Sequence, residues 1–217
     1  MTTELPTLAM LDICVPVHRR TRRLAIDGHL GEWPDGCRLP DLSAIDGTPG
    51  FAAVWMAWDV QGLYFALDVS GKRKVSVDLK RPQKGDAFFL WIDTRDVRDA
   101  MRAGRFCHHF VAVPAPRETR GRAANAWQAP IHRAREQAPI CRPEDLRSAS
   151  AVRRDGYSLE LAIPAAALNG YEPSEFPRLG MTYMIADTTH GQQLWNVPPH
   201  LPFQHDPSTW AAIELVR

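Results

Sequence analysis

Five ring-bearing residues give this sequence its first chemical option. Trp55, Tyr64, Phe89, Trp91 and His109 each fall opposite the most apolar side of an alternating segment. Flat rings gathered in such a row can stack on the CH face of a sugar or another small polar ligand. The competing reading is a second small core, with the stretch from Pro114 to Arg147 laid over the row through Trp127 and Ile131. Carboxylates come next: Asp86, Asp93 and Asp187 at segment ends, with His108, His109, His190, His200 and His205 as bases, would suit hydrolysis. No HExxH or GxSxG spacing joins them, and Asp at a strand end commonly caps a turn. Asp27 with Glu32, and Asp93 with Asp96, offer a structural calcium and nothing more. Arg19, Arg20, Arg22 and Arg23 read either as an anion site or as a strand edge guarded by charge.

The elements that must position these residues alternate with period two. In AAVWMAWDVQGLYFALDV, from Ala52 to Val69, Val54, Met56 and Trp58 share one side, Asp59-Val60-Gln61-Gly62 supplies a turn, and Leu63, Phe65, Leu67 and Val69 resume the pattern. That is a β-hairpin. Further strands are expected over Leu8–Val17, from Gly85-Asp86 to Asp93, over Arg105–Val113, over Tyr157–Ile163 after the turn Asp155-Gly156, over Gly180–Asp187 and over Trp210–Val216, with Leu194–Val197 as a further pairing segment. The turn Ile26-Asp27-Gly28-His29-Leu30-Gly31-Glu32-Trp33 ends on an aromatic plug. Pro164-Ala165-Ala166-Ala167-Leu168 is one short helical turn, stopped by Asn169-Gly170. Seven to nine short strands describe an all-β fold, an antiparallel two-sheet β-sandwich of immunoglobulin-like or jelly-roll-like type. Residues 114–150, rich in proline and carrying seven arginines from Arg117 to Arg147, are a long irregular insertion, a lid or loop within the single domain 1–217.

With 26 basic and 25 acidic side chains the net charge is +1, so no global field recruits nucleic acid or an acidic membrane. No segment holds the ~20 apolar residues of a membrane span. Glu4, Pro6 and Asp12 interrupt any signal-peptide pattern in the chain as given. Cys14, Cys37, Cys107 and Cys141 form no CxxC and are expected reduced, which fits a cytoplasmic protein.

IDGHLGEW, VWMAWDVQGLYFALDV, GDAFFLWIDTRD, GYSLELAIPAAAL, LGMTYMIADTTHG and DPSTWAAIELV, in this order, resemble the carbohydrate-binding module family 9 domains of the DOMON-like sandwich group. The resemblance runs from about Ile26 to Val216. It implies a non-catalytic module for carbohydrate or a related small polar ligand. The alternatives it implies are a relative that senses ligands or binds haem b, for which Met56, Met181 and Met184 with His108 or His109 supply the ligand types although methionines on strand faces usually fill cores, and a structural or interaction domain that has lost sugar binding. In sugar-binding members two loop tryptophans sandwich a terminal sugar ring. Those places fall here at about Gln83 and at Phe203, Gln204 or His205, so Phe203 is the one aromatic at either place.

Overall fold

The hairpin forms as its alternation dictates. In the computed structural model, which describes residues 11–114 and 125–217, β1 is Cys14–His18, β2 Ala52–Asp59 and β3 Gly62–Ser70. Gly62 turns the chain at φ +149°, and a Cβ there would stand 2.1 Å from the Ile163 carbonyl oxygen, so only glycine fits. Then follow β4 Ala87–Asp93, β5 Cys107–Val113, β6 Asn125–Ala129, β7 Arg147–Arg153, β8 Gly156–Pro164, β9 Arg178–Asp187, β10 Gly191–Leu194 and β11 Ala211–Val216.

They make two sheets. The larger has the order β1-β11-β9-β4-β5-β6, with β10 paired to the second half of β9; the smaller is β2-β3-β8-β7. The inner faces interdigitate in one core built on Met56, Phe65, Leu67, Phe88, Leu90, Phe110, Leu161, Met181 and Ile213. Each such side chain contributes about 1.5–3 kcal/mol by leaving water. Trp58 of the small sheet reaches the edge of the large one, donating its indole N–H to the Val17 and Val216 carbonyls, each at 3.0 Å.

Three details differ from the sequence reading. The pairing of β1 with β11 is parallel, whereas the other paired strands among the described residues are antiparallel, and β1 begins at Cys14; Leu8, Ala9 and Met10 lie outside the described residues. The stretch 114–150 is less irregular than expected, because β6 and the start of β7 lie within it. β6 has only Trp127 as a large apolar residue, set across from Val111, too little for alternation to register. Arg117, Arg120 and Arg122 lie outside the described residues. The extra pairing segment is β10, Gly191–Leu194, and not Leu194–Val197, whereas the short helical turn after Pro164 forms as expected, as the 3-10 helix Ala165–Ala167 with Gly170 following at φ +80°.

Candidate functional site

The aromatic row does not form one floor. Trp55 and Tyr64 face outward from the small sheet, whereas Phe89, Trp91, His109 and Phe203 lie on the outer side of the large sheet, with the main core between the two groups. Each group is also covered. Over the small sheet, Leu24, Trp33 and Cys37 pack on Tyr64, which is 8% exposed, and the Arg38 guanidinium stands 5.7 Å from the half-buried Trp55 ring. Over the large sheet, Trp91 is 3% and Phe203 2% exposed. There the Trp91 and His109 rings stack at 4.4 Å, Phe203 meets Trp91 edge-on at 5.3 Å, and Ile131, Val197 and Trp210 close the cluster. Ile131 with Trp127 thus seals the row as a second core. Gln83 is exposed in the 3-10 helix Pro82–Lys84 while Phe203 turns inward, so neither place presents a ring to a ligand.

The strand-end carboxylates are committed elsewhere. The Lys72 ammonium lies 2.5 Å from Asp86 and 2.8 Å from Asp187, all three side chains fully enclosed. Asp86 also accepts from the Thr188 and Ser76 amides. At Asp187 burial acts to raise the carboxyl, but the Lys72 ammonium and the His190 and Thr189 amides outweigh it and hold the group below the usual range. Asp93 caps the Arg95 and Val97 amides, and burial raises its carboxyl above the usual range. Met56 and Met181 sit in the main core, Met184 in the outer cluster, and His108 and His109 on opposite faces of β5. Asp27 bonds the His29 amide and Glu32 the Ala25 amide. Among the described residues no group of three or more His, Cys, Asp or Glu is arranged to hold a metal ion.

Two buried charges escaped the sequence reading. Lys72 opens a run of basic residues in which nothing marks it as enclosed. Glu160 lies between Leu159 and Leu161 on what reads as a solvated side of β8, yet it is wholly buried. Its carboxylate accepts from Trp33 Nε1 at 2.7 Å and from the Gly28 and Asp27 amides at 2.6 and 2.9 Å. Burial lifts its carboxyl above the usual range, against those three donors. The spaced Asp27-Gly28 and Trp33 of the plug were the available signal, since each needs an acceptor once buried.

An accessible groove lies where β10 meets the loop before β2. Its volume is about 420 Å³ and its lining is mostly apolar, with Phe51, His190, Pro198, Gln192, Ser43 and Thr48 in the wall. Phe51 and His190 stack at 5.1 Å with 23° between their planes. Both rings are fixed from behind. The His190 Nε2 lies 3.0 Å from the Ser70 carbonyl oxygen, and the His190 amide donates to Asp187 of the enclosed ion cluster at 2.9 Å. Gln193 exchanges two hydrogen bonds with the Ala52 backbone, at 2.8 and 3.1 Å, which sets Phe51 beside β10. Gly50 permits that approach, because a Cβ there would meet Gln193 Nε2 at 2.5 Å. Asp41 pins the far wall through the Gly50 amide and the Ser43 hydroxyl, and Trp195 bonds the Pro40 carbonyl at 2.9 Å. A flat ring pair beside the exposed Gln192 amide and two hydroxyls can take a small ligand that is apolar on one face and hydroxylated at its edge.

No family model and no curated protein matches the sequence. Solved structures do resemble the fold. A family 9 carbohydrate-binding module from Caldicellulosiruptor kristjanssonii in complex with cellotriose superposes with a TM-score of 0.63 at 13% identity, over 94% of this chain and 93% of its own. A module of the same family and organism in complex with glucose gives 0.63 at 14% identity, over 93% and 95%. A Bacteroides uniformis protein gives 0.59 at 12% identity, over 94% and 99%. The chain therefore has a family 9-like two-sheet β-sandwich fold.

Proposed function

We propose that this chain is a non-catalytic module that binds a carbohydrate or related small polar ligand in the Phe51–His190 groove. The observation that carries the reading is the stacked ring pair in an accessible, mostly apolar groove with an amide and hydroxyls at its rim. The similarity in fold to modules solved with glucose and cellotriose supports the ligand class. The tryptophan clamp that the family resemblance implies is not reproduced at Gln83 or Phe203, so the groove takes the ligand instead of those two places. Ring stacking of this kind contributes about 1 kcal/mol, so the affinity is modest and Phe51→Ala should weaken it about fivefold. Calorimetric titration of glucose and of cellotriose into the protein and into Phe51→Ala tests this. Binding of either sugar, weakened in the variant, supports the groove; no binding, or binding indifferent to Phe51, rejects it.

A further inference from the structure

A second cleft gathers like charges from three parts of the chain. Arg20, Arg22 and Arg23 follow β1, Arg147 opens β7, and Asp59 ends β2; with Tyr64 they line a cavity of about 360 Å³. One carboxylate faces four guanidiniums, and it is already engaged. Asp59 takes the Arg20 Nε at 2.5 Å on one oxygen and the Gln61 amide and Tyr64 hydroxyl, at 2.8 and 3.1 Å, on the other. Arg20 is held twice, since its guanidinium also stands 4.4 Å from the Tyr64 ring centre. That fixes its plane and leaves its terminal nitrogens for another acceptor. Among the described residues no carboxylate lies within 4.0 Å of the charged nitrogens of Arg22, Arg23 or Arg147. Bringing three unmatched guanidiniums around a rigid fourth costs Coulomb energy that an anion would recover.

We propose that this cleft binds an oxyanion, with Arg20 as the fixed half of the site and Arg22, Arg23 and Arg147 closing on it from the rim. The guanidinium fork matches two oxygens of a carboxylate, sulfate or phosphate equally well, so the shared chemistry is a planar or tetrahedral oxyanion, free or carried by an acidic sugar. The cleft shares no lining residue with the Phe51–His190 groove, so its occupancy stands independently of that reading.

Amide NMR titration of the whole chain tests it, following the signals of Thr21, Arg22 and Arg23 as sodium sulfate, sodium glucuronate or glucose is added. Saturable shifts with sulfate and not glucuronate assign a free inorganic oxyanion. Shifts with glucuronate and not sulfate assign a sugar carboxylate, and shifts with both leave the site open to either source; all three support the proposal. The Arg22→Gln/Arg147→Gln double variant should bind about tenfold or more weakly with an unchanged melting curve, and added potassium chloride should weaken wild-type binding further. Arg22→Gln alone, in an exposed loop, carries the same comparison if the double variant does not fold. Three results overturn the proposal: no saturable shift with either anion, an equal response to uncharged glucose, or arginine variants that bind as the wild type does.

Discussion

The outer faces of the two sheets are both covered, but by different physics. Over the small sheet the plug from Leu24 to Cys37 is held by a buried carboxylate: Glu160 gathers an indole N–H and two amides, and the Ser158 hydroxyl donates to the Gly28 carbonyl at 2.6 Å. Over the large sheet the cover is ring packing, and among the described residues three polar atoms beneath it go without partners, against Trp55 Nε1 alone on the outer face of the small sheet. Trp91 Nε1, His109 Nε2 and Thr182 Oγ1 are buried with no hydrogen bond among the described residues, although Thr182, Trp91 and His109 are neighbours across three adjacent strands. One cover is directional and tolerates no change of acceptor; the other is held by shape and apolar area and tolerates changes of polar atoms.

The largest effect should come from removing the acceptor of the directional cover. Glu160→Ala leaves three donors buried without a partner and should cost about 3–5 kcal/mol, read as a lower denaturant midpoint with an unchanged slope. A loss below about 1 kcal/mol would mean that the plug is held by Trp33 and Leu24 packing alone, and the two faces would then be alike.

This contrast also marks what the sequence makes legible. Strand positions and the hairpin follow from period-two alternation, because inner-face residues such as Val54, Met56, Leu63 and Phe65 are read correctly whatever covers the other side. The outer faces are not legible in the same way. Alternation says that Trp55 and Trp91 point away from the core but not that they point in opposite directions, since that depends on which sheet each strand joins. Strands far apart in sequence, β4 with β9 and β3 with β8, decide it. Lys72 and Glu160 were hard to read for a related reason: a charge is buried only if distant partners converge on it, and Asp86, Asp187 and Trp33 reach them across 14, 115 and 127 positions. The groove failed to register because Phe51 and His190 lie at turn ends, where alternation carries no information.

The next test uses pH. Burial pushes both His108 and His109 down to about 4 from 6.5. A base lowered in the folded state is protonated first in the unfolded chain, so stability is full above about pH 6.5, falls as acid is added, and levels off below about pH 4. Each histidine should then remove about 2 kcal/mol between about pH 7 and about pH 5. His108 has neighbours on both ring nitrogens, with Gln128 at 3.1 Å and the Asn169 carbonyl at 3.5 Å, whereas His109 bonds the Pro130 backbone and its Nε2 has no partner. His109→Phe should therefore keep the stacking on Trp91, remove about half of the acid-induced loss, and cost near neutral pH only the bond to the Pro130 backbone, about 1 kcal/mol. If the acid limb is unchanged in this variant, the ring packing leaves His109 free to take a proton and the large-sheet cover is looser than its burial implies.

The smallest effect isolates a single N–H in each cover. Trp33 and Trp91 are 6% and 3% exposed, and replacing either by Phe removes the same volume, so the cavity costs nearly cancel in the difference. What remains is the hydrogen bond. Trp33 loses a donor to an ionised carboxylate and leaves one oxygen of Glu160 short of a partner; Trp91 loses a donor that bonded nothing. A bond to a charged group contributes at least about 1.5 kcal/mol, so Trp33→Phe should be the more destabilising by about that amount in paired urea titrations. Equal losses would show that the Trp91 N–H is satisfied as well as that of Trp33. A larger loss at Trp91 would mean that packing against His109 and Phe203 outweighs a charged hydrogen bond, and that the large-sheet face is the more exacting of the two.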